Sequence, residues 1–163
     1  ISKLSMVSDF TTQTIYELRD TIWAMNKSDI TAEDLQIRIA NFIEKANKLG
    51  NAVDFSFEVT PEVQSETFTS VQGMNIYRII QEAVNNAIKY ANPKSISVVM
   101  KKNPETKNFE VVISDTGDGF DVDAVATGNG LNNMKKRAYD MGGNAKITST
   151  IGKGSTVFIS FAK

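Results

Sequence analysis

The chain has 163 residues, of which 41% are hydrophobic and 23% are charged, a composition typical of one globular domain with a core of useful size. Its formal net charge is -1 and its longest run of basic residues is Lys135–Arg137, so binding to nucleic acid or to a membrane surface has no electrostatic support. The chain contains no cysteine and no histidine, which excludes disulfides, thiolate nucleophiles, zinc-finger sites and catalytic triads that use an imidazole base.

No segment is predicted to cross a membrane or to act as a secretory signal, because no apolar run approaches the ~18 residues that a transmembrane helix needs. The lack of cysteine is compatible with a reducing compartment, and we predict a cytoplasmic location. The chain begins at Ile1 inside a helical pattern, so we interpret it as part of a longer protein. Its partner is expected to be a small molecule or another protein.

Residues 1 to about 26 are predicted to form a helix with an apolar seam. The seam positions alternate at spacings of three and four, as in coiled coils and four-helix bundles, and they are Ile1, Leu4, Ser8, Thr11, Ile15, Leu18, Ile22 and Met25. The small polar Ser8 and Thr11 weaken the middle of the seam. A helix that lies on its own domain is therefore the alternative.

A second helix and a strand are predicted between residues 31 and 61. Thr31 and Asp34 form a helix-start signal, and Gly50 is expected to end the helix. The apolar positions of this helix are Leu35, Ile39, Phe42, Ile43 and Ala46. The stretch VDFSFEV, residues 53–59, alternates apolar and polar residues and predicts a half-buried strand that Pro61 terminates.

The remainder of the chain predicts two helices and two hairpins. A long helix is expected from about Ser70 to Ala91, closed by Asn92 and Pro93, and a shorter helix from about 131 to 141. The runs SISVVMK and FEVVIS form one predicted hairpin, and AKITST and TVFISF form the other. This order predicts an α/β two-layer sandwich: a mixed, largely antiparallel five-stranded sheet covered on one face by three helices, with an N-terminal helical extension.

The helix NIYRIIQEAVNNAIKYA has two different faces. The apolar stripe expected to lie on the sheet comprises Ile76, Ile80, Ala83, Val84, Ala87 and Ala91. Glu82, Asn86 and Lys89 share the opposite face, which could be simply solvated. Asn85 and Asn86 favour a site, however, because asparagine is a poor helix former. Its carbonyl oxygen suits Mg²⁺ that shares its ligands with substrate phosphates, and Lys89 could lie near those phosphates.

The stretch SDTGDGF, residues 114–120, follows an apolar strand. A carboxylate at Asp115 can accept a hydrogen bond from the exocyclic amine of adenine and would repel the carbonyl oxygen of guanine. Gly117 and Gly119 lack a Cβ, so the backbone can turn sharply and a flat base can approach it. A hairpin turn is the alternative, because Asp-Gly is a common turn pair.

Two further glycine motifs follow. Gly128 and Gly130 directly precede a predicted helix, where backbone N–H groups and the positive end of the helix dipole can bind phosphate. A flexible linker would contain the same residues. The motif IGKGST places Ser155 and Thr156 after two glycines, which predicts either a hairpin turn or a hydroxyl group near a nucleotide.

The order and spacing of QEAVNNAIKYA, DTGDGF, GNGLNNMKKRAYDMGG and GKGSTVFISF closely resemble the GHKL ATPase superfamily, and within it the ATP-binding domain of bacterial two-component sensor histidine kinases. The first motif is similar to the N box, DTGDG to the G1 box and GNGL to the G2 box. The resemblance covers residues 50–163. Met134, Arg137, Ala138 and MGG are similar to the subfamily of nitrate and membrane-fluidity sensors, and Leu18–Asn26 is similar to the end of its second dimerisation helix.

The resemblance implies the Bergerat fold and a role for each matching residue. Asn86 would be the Mg²⁺ ligand, Glu82 would orient water or assist phosphoryl transfer, and Lys89 would contact phosphate. Asp115 would select adenine, and residues 119 to 130 would form the ATP lid. The implied contacts of ATP also include Asn85, Tyr90, Gly117, Gly119, Phe120, Gly128, Asn129, Gly130, Leu131, and Thr156 or Ser155.

The implied function is the Mg-ATP-binding module of a histidine kinase, which transfers the γ-phosphoryl group to a histidine on a first dimerisation helix for relay to the receiver domain of a response regulator. Residues 1–28 would belong to the helical domain through which the full-length protein forms a homodimer, and 29–163 to the catalytic domain. Two features depart from the family: the sequence has neither a first helix nor a histidine, and its short lid lacks a separate phenylalanine-bearing box. An anti-sigma-factor-type serine kinase and a non-catalytic, ATP-responsive interaction module are the alternatives.

Overall fold

The computed structural model describes residues 3–48, 53–125 and 129–163, so Gly50 and Gly128 lie outside the described residues. Its elements in chain order are α1 (Lys3–Met25), β1 (Asp29–Thr31), α2 (Ala32–Lys48), β2 (Asp54–Val59), α3 (Pro61–Gln64), β3 (Thr67–Thr69), α4 (Ser70–Asn86), a π-helical turn (Ala87–Ala91), β4 (Ser95–Lys102), β5 (Phe109–Asp115), α5 (Asn129–Asp140), β6 (Gly143–Thr150) and β7 (Gly154–Phe161).

Five of the strands form one sheet in the order β2-β4-β5-β7-β6. Strand β2 pairs in parallel with β4, and the other neighbours pair antiparallel. Alternate residues of the strands, such as Val98, Val111 and Ile159, are fully buried against helices α2, α4 and α5. The predicted two-layer sandwich with a mixed, largely antiparallel sheet is confirmed.

Helices α2 and α4 begin at reciprocal side-chain caps. The Asp34 backbone N–H donates to Thr31 Oγ1 at 3.0 Å, and the Thr31 N–H donates to Asp34 Oδ2 at 3.1 Å. Thr69 and Gln72 form the same capping box at the start of α4. These caps satisfy backbone donors that the first helical turn leaves unpaired, which explains why the helices start at these residues.

Three short elements were not predicted. Strands β1 and β3 pair antiparallel in a separate two-stranded sheet, and the single turn α3 begins at Pro61, where β2 has ended. Phe68 of β3 packs edge-on against Phe109 of β5, with ring centroids 5.1 Å apart. The small sheet is therefore anchored in the same core as the large one.

The long helix predicted from Ser70 to Ala91 changes geometry near its end. Residues 70–86 are α-helical, the turn 87–91 is π-helical, and Asn92 ends it with a positive φ of 45°. Such wide turns occur mostly as single turns and frequently at functional sites. Lys89 and Tyr90 are exposed on this turn.

The N-terminal helix α1 packs on the rest of the chain by a face other than its seam. Its buried residues are Asp20 and Ala24, neither of which is a seam position. The seam residues Leu4 and Met25 are 82% and 78% exposed, and Ile1 lies outside the described residues. The alternative, a helix that lies on its own domain, describes how this face of α1 packs, whereas pairing through the exposed seam stays a prediction. Within the described residues, no helix has the length and apolarity needed to cross a membrane.

Candidate functional site

A cavity of about 520 Å³ lies between the end of α4, the inner face of the sheet and the segment that leads into α5. We call it the sheet pocket. Of the residues predicted for the site, those that line it are Glu82, Asn86, Lys89, Tyr90, Asp115, Gly119, Phe120, Asn129, Gly130, Leu131 and Ser155. Four separate sequence motifs therefore meet around one cavity. Residues 126–128 of the predicted lid lie outside the described residues.

Glu82 and Asn86 form one end of the sheet pocket. Both side chains are half-buried, and Asn86 Nδ2 donates to Glu82 Oε1 at 3.3 Å. This bond leaves Asn86 Oδ1 available as an acceptor. The two side chains therefore line a cavity and contact each other, as a binding site would require.

The N-terminus of α5 lies against this pair. A Cβ placed on Gly130 would lie 2.3 Å from Glu82 Oε1 and 3.2 Å from Asn86 Nδ2, so glycine permits the close approach. The first N–H groups of a helix lack intrahelical partners and carry partial positive charge. An anionic group bound at this end of the pocket would therefore meet the helix N-terminus, Asn86 and Lys89 together.

The same end has a donor set that fits Mg²⁺ only together with other oxygen ligands. Asn86 Oδ1 and the Glu82 carboxylate are hard oxygen donors, as this cation prefers. Among the described residues, no group of three or more Asp, Glu, His or Cys could hold a metal ion alone. Bound Mg²⁺ would thus have to complete its coordination with water and with phosphate oxygens, which is its usual mode in nucleotide sites.

Asp115 lies at the other end of the pocket, where β5 ends. Its Oδ1 accepts a hydrogen bond from the Gly117 N–H at 2.8 Å, and none of the described residues donates to its Oδ2. The hydroxyl-bearing Ser155 lies directly across on β7. Asp115 as a residue is half-buried, and its Oδ2 is available to accept a hydrogen bond from a ligand or from water.

The glycine loop after Asp115 is fastened to its neighbours on both sides. The Asp118 N–H donates to Ala91 O at 2.8 Å, and Asp118 O accepts from the Gly152 N–H at 2.7 Å. Asp118, for which the sequence suggested no role, therefore acts through its backbone. A Cβ on Gly119, whose φ is 65°, would lie 2.1 Å from Thr150 O. The expected sharp turn is present, and glycine is needed there because backbone packs on backbone.

Three predicted contacts do not line the sheet pocket. Thr156 lies on the opposite face of the sheet, where its hydroxyl bonds to that of Ser114 at 3.0 Å, because successive strand residues point to opposite faces. Gly117 packs against Ala91, whose carbonyl oxygen would lie 2.4 Å from an added Cβ. Asn85 is rotated away from Asn86 along α4 and lines a second cavity instead. Of the two hydroxyl groups, Ser155 is the one that lines the sheet pocket, and its contact with a ligand stays a prediction.

The apolar walls of the sheet pocket were not predicted as site residues. They are Ala83, Ala87, Ala91, Ile96, Ile113, Val125, Met134, Ile147 and Val157. Their signal in the sequence was the alternation of apolar residues, which marks them only as inward-facing. An apolar wall with a few polar groups is the usual composition of a small-molecule site.

The second cavity, of about 900 Å³, lies between α1, α2, α4 and α5, and we call it the α1 groove. Its wall carries several arginines, including Arg38, Arg78 and Arg137. Burial, followed by the nearby Arg78, lowers the pKa of Arg137. Glu82 and Lys89 line both cavities, so the groove adjoins the Glu82–Asn86 end of the sheet pocket.

Comparisons with known sequences agree with this geometry. Residues 71–163 match the family described as histidine kinase-, DNA gyrase B-, and HSP90-like ATPase. An uncharacterized sensor-like histidine kinase of Chloroflexus aurantiacus is 29% identical over 165 residues, covering 98% of this chain and 27% of the relative. The sensor histidine kinase LiaS of Bacillus subtilis is 23% identical over 158 residues, covering 96% of this chain and 42% of the relative. The chain thus spans less than half the length of these two proteins.

The fold also matches that of a solved structure. The histidine kinase domain of the blue-light activated histidine kinase from Erythrobacter litoralis EL346 superposes with a TM-score of 0.71 and 17% identity. The match covers 92% of this chain and 73% of that domain. At this identity the likeness concerns the fold, including the arrangement of helices over the mixed sheet.

Proposed function

The chain belongs to the family of histidine kinase-, DNA gyrase B- and HSP90-like ATPases, and we propose that it binds Mg-ATP and transfers the γ-phosphoryl group to a histidine on a separate helix. The observation that carries the proposal is the sheet pocket, in which Glu82, Asn86, Asp115 and the N-terminus of α5 surround one cavity. The phosphohistidine would then pass the group to the receiver domain of a response regulator.

The adenine base would occupy the Asp115 end of the pocket. Asp115 Oδ2, which has no donor among the described residues, would accept from the exocyclic amine of adenine, while Ile96 and Ile113 would contact the ring faces. Guanine presents a carbonyl oxygen at the same position, and two acceptors without a proton between them repel each other. The proposal therefore includes a preference for ATP over GTP.

The phosphates would occupy the Glu82–Asn86 end. Asn86 Oδ1 would hold Mg²⁺, the first N–H groups of α5 would bind phosphate oxygens, and exposed Lys89 would reach the terminal phosphate. Bound Mg²⁺ neutralises the charge that develops on the phosphates during transfer. Glu82, which also faces the α1 groove, would orient the acceptor group there. A bond from the acceptor nitrogen to the γ-phosphorus forms as the bond to the bridging oxygen breaks, and ADP leaves.

The setting of the module follows from the same family. We propose that residues 1–28 belong to a dimerisation helix and 29–163 to the catalytic domain of a larger cytoplasmic region. The exposed seam of α1, with Leu18 and Ile22 57% and 55% exposed, supports pairing of this helix within a homodimer. Similarity to nitrate and membrane-fluidity sensors rests on Arg137 and its neighbours in α5.

Phosphoryl transfer to an acceptor supplied in trans tests the function. The chain is incubated with Mg-ATP and a polypeptide that bears the first dimerisation helix of the family, and an acid-labile phosphohistidine is the expected product. An acid-stable phosphoserine would favour the serine kinase. Tight ATP binding without any transfer would favour an interaction module that responds to nucleotide. A variant Asn86→Ala, which removes the Mg²⁺ ligand, serves as the inactive control.

A further inference from the structure

A buried carboxylate on α1 joins three helices. Asp20 is 8% exposed and accepts a hydrogen bond from Arg38 Nη2 of α2. Arg78 Nη1 of α4 lies 3.7 Å from the other Asp20 oxygen. Ala24, one turn further along α1, is the other buried residue of this helix. The attachment of α1 to the catalytic domain is thus centred on one ion-paired carboxylate.

The groups around Asp20 hold both arginines in place. The Arg38 guanidinium lies 4.5 Å from the centre of the Trp23 ring, which covers it. Arg78 donates to the Glu17 carbonyl oxygen and to Gln81 Oε1, both at 3.0 Å. Each arginine therefore has a further contact besides Asp20, while the buried Arg38 Nε has no hydrogen-bond partner among the described residues.

A buried ion pair contributes little net stability compared with apolar packing, since both charges lose their hydration. Its effect is directional, because a carboxylate between two guanidinium groups has few orientations that satisfy every partner. The apolar contacts of Ala24 and Trp23 are less directional and would by themselves define the rotation and height of α1 less well. Asp20 thus fixes the rotation and height of α1 on the domain.

The position of α1 sets the shape of the α1 groove. On one side the groove is lined by α1 residues such as Tyr16 and Glu17, and on the other by Glu82 and Lys89 of the sheet pocket. Only residues 26–28 separate α1 from β1, so no long linker decouples the helix from the domain. A change in the attachment at Asp20 must therefore change the distance across the groove.

We propose that Asp20 is a positioning residue for phosphoryl transfer. Its ion pairs with Arg38 and Arg78 set the distance between α1 and the phosphate end of the sheet pocket, and thereby the place at which an acceptor meets the phosphate. The proposal rests on the proposed function. Loss of the pair should lower the transfer rate and leave the affinity for nucleotide unchanged, since Asp20 does not line the sheet pocket.

The variant Asp20→Asn tests the proposal, with Glu44→Gln as the matched control because Glu44 forms an exposed pair with Lys48. We expect the affinity of Asp20→Asn for ATP to stay within twofold of the parent. The rate of phosphoryl transfer should fall roughly tenfold to a hundredfold, because a small displacement of the reacting groups slows the reaction by such factors. Arg38→Gln removes the other partner and takes its place if Asp20→Asn does not fold. Equal losses of affinity and rate, or an unchanged rate, would overturn the proposal.

A distance measurement tests the attachment without any activity. The chain has no cysteine, so exposed Thr12 on α1 and Lys135 on α5 can be replaced by cysteine and spin-labelled. Double electron–electron resonance should give one narrow distance in the parent and a broad distribution in Asp20→Asn. A narrow, unshifted distance in the variant contradicts the proposal. A parent chain that keeps the narrow distance but transfers nothing contradicts the proposed function instead.

Discussion

The sheet pocket and the α1 groove lie side by side and share Glu82 and Lys89, but their polar groups are used differently. In the groove, the carboxylate of Asp20 forms ion pairs with Arg38 of α2 and Arg78 of α4. In the pocket, Asp115 Oδ2 receives no hydrogen bond from the described residues. A carboxylate oxygen that faces a pocket without a donor is available to a ligand, whereas opposite charges paired across elements indicate an attachment between those elements.

The largest expected effect is on stability and concerns the groove. Asp20→Ala leaves the partly buried guanidinium groups of Arg38 and Arg78 without their carboxylate, so we expect the free energy of unfolding to fall by about 3 kcal/mol. A urea titration followed by tryptophan fluorescence measures this free energy. The single tryptophan, Trp23, lies over Arg38 and therefore reports on the environment of the ion pair. Glu44→Ala should leave the midpoint in place. Equal urea midpoints for the two variants would mean that the ion pairs of Asp20 do not hold α1 on the domain.

The next effect is on binding and concerns the pocket. In Gly130→Val the added side chain displaces Glu82 and Asn86, and we expect ATP affinity to fall by about a hundredfold, or about 2.7 kcal/mol. Isothermal titration calorimetry provides the measurement. Asn132→Val introduces the same residue on the exposed side of α5 and should bind normally. If Gly130→Val still binds ATP with the affinity of the parent, the phosphates do not bind at the Glu82–Asn86 end of the pocket.

A smaller effect concerns the choice of base. Asp115→Asn keeps an oxygen for the Gly117 N–H but loses the charge, so the preference for ATP over GTP should fall by about tenfold, or about 1.4 kcal/mol. Competition with a fluorescent ATP analogue compares the two nucleotides. Asp118→Asn is the control, because Asp118 acts through its backbone. An unchanged preference in Asp115→Asn would remove Asp115 from the base site.

The smallest effect is a pH dependence at the junction of α1 and α2. A hydrogen bond from Lys27 lowers the pKa of Asp34, so the ionised carboxylate contributes stability above its unfolded pKa of ~3.9, which is lost as the pH falls through the folded pKa. Asp34→Asn should cost about 0.5 kcal/mol at pH 7, since the pair is partly exposed, and nothing near pH 2. Urea titrations at both pH values provide the comparison, and a constant difference would contradict the assignment.

The sequence predicted most of the fold because its elements carry strong local signals. The strands of the large sheet alternate, and Thr31 with Asp34 marks the start of α2. Strands β1 and β3 contain three residues each, too few for periodicity to reveal them. The burial of Asp20 could not be predicted from the sequence either. A heptad pattern identifies an apolar seam, but it does not show which face of the helix packs on the rest of the chain.

The sequence predicted the polar residues and glycines of the candidate site better than it predicted its apolar walls. The motifs predicted that Asn86, Asp115 and Gly130 lie near one another, and all three line the sheet pocket. Their signal was asparagine within a helix, a position that this residue does not favour, and glycine next to a strand or a helix. Thr156 and Ser155 differ by one position, and a strand reverses its faces at every residue, so only the pairing of β5 with β7 decides between them. Nothing local distinguishes a wall residue such as Ile113 from a core residue.

The position of β7 in the sheet has a consequence for the order in which the molecule can assemble during synthesis. Strand β7 follows β6 in the chain, yet it lies between β5 and β6. A ribosome therefore releases β6 before the neighbour that joins it to the sheet exists. Until β7 emerges, the wall that carries Ile147 and Ser155 is missing, so the proposed nucleotide could stabilise a nascent chain only after β7 has been synthesised.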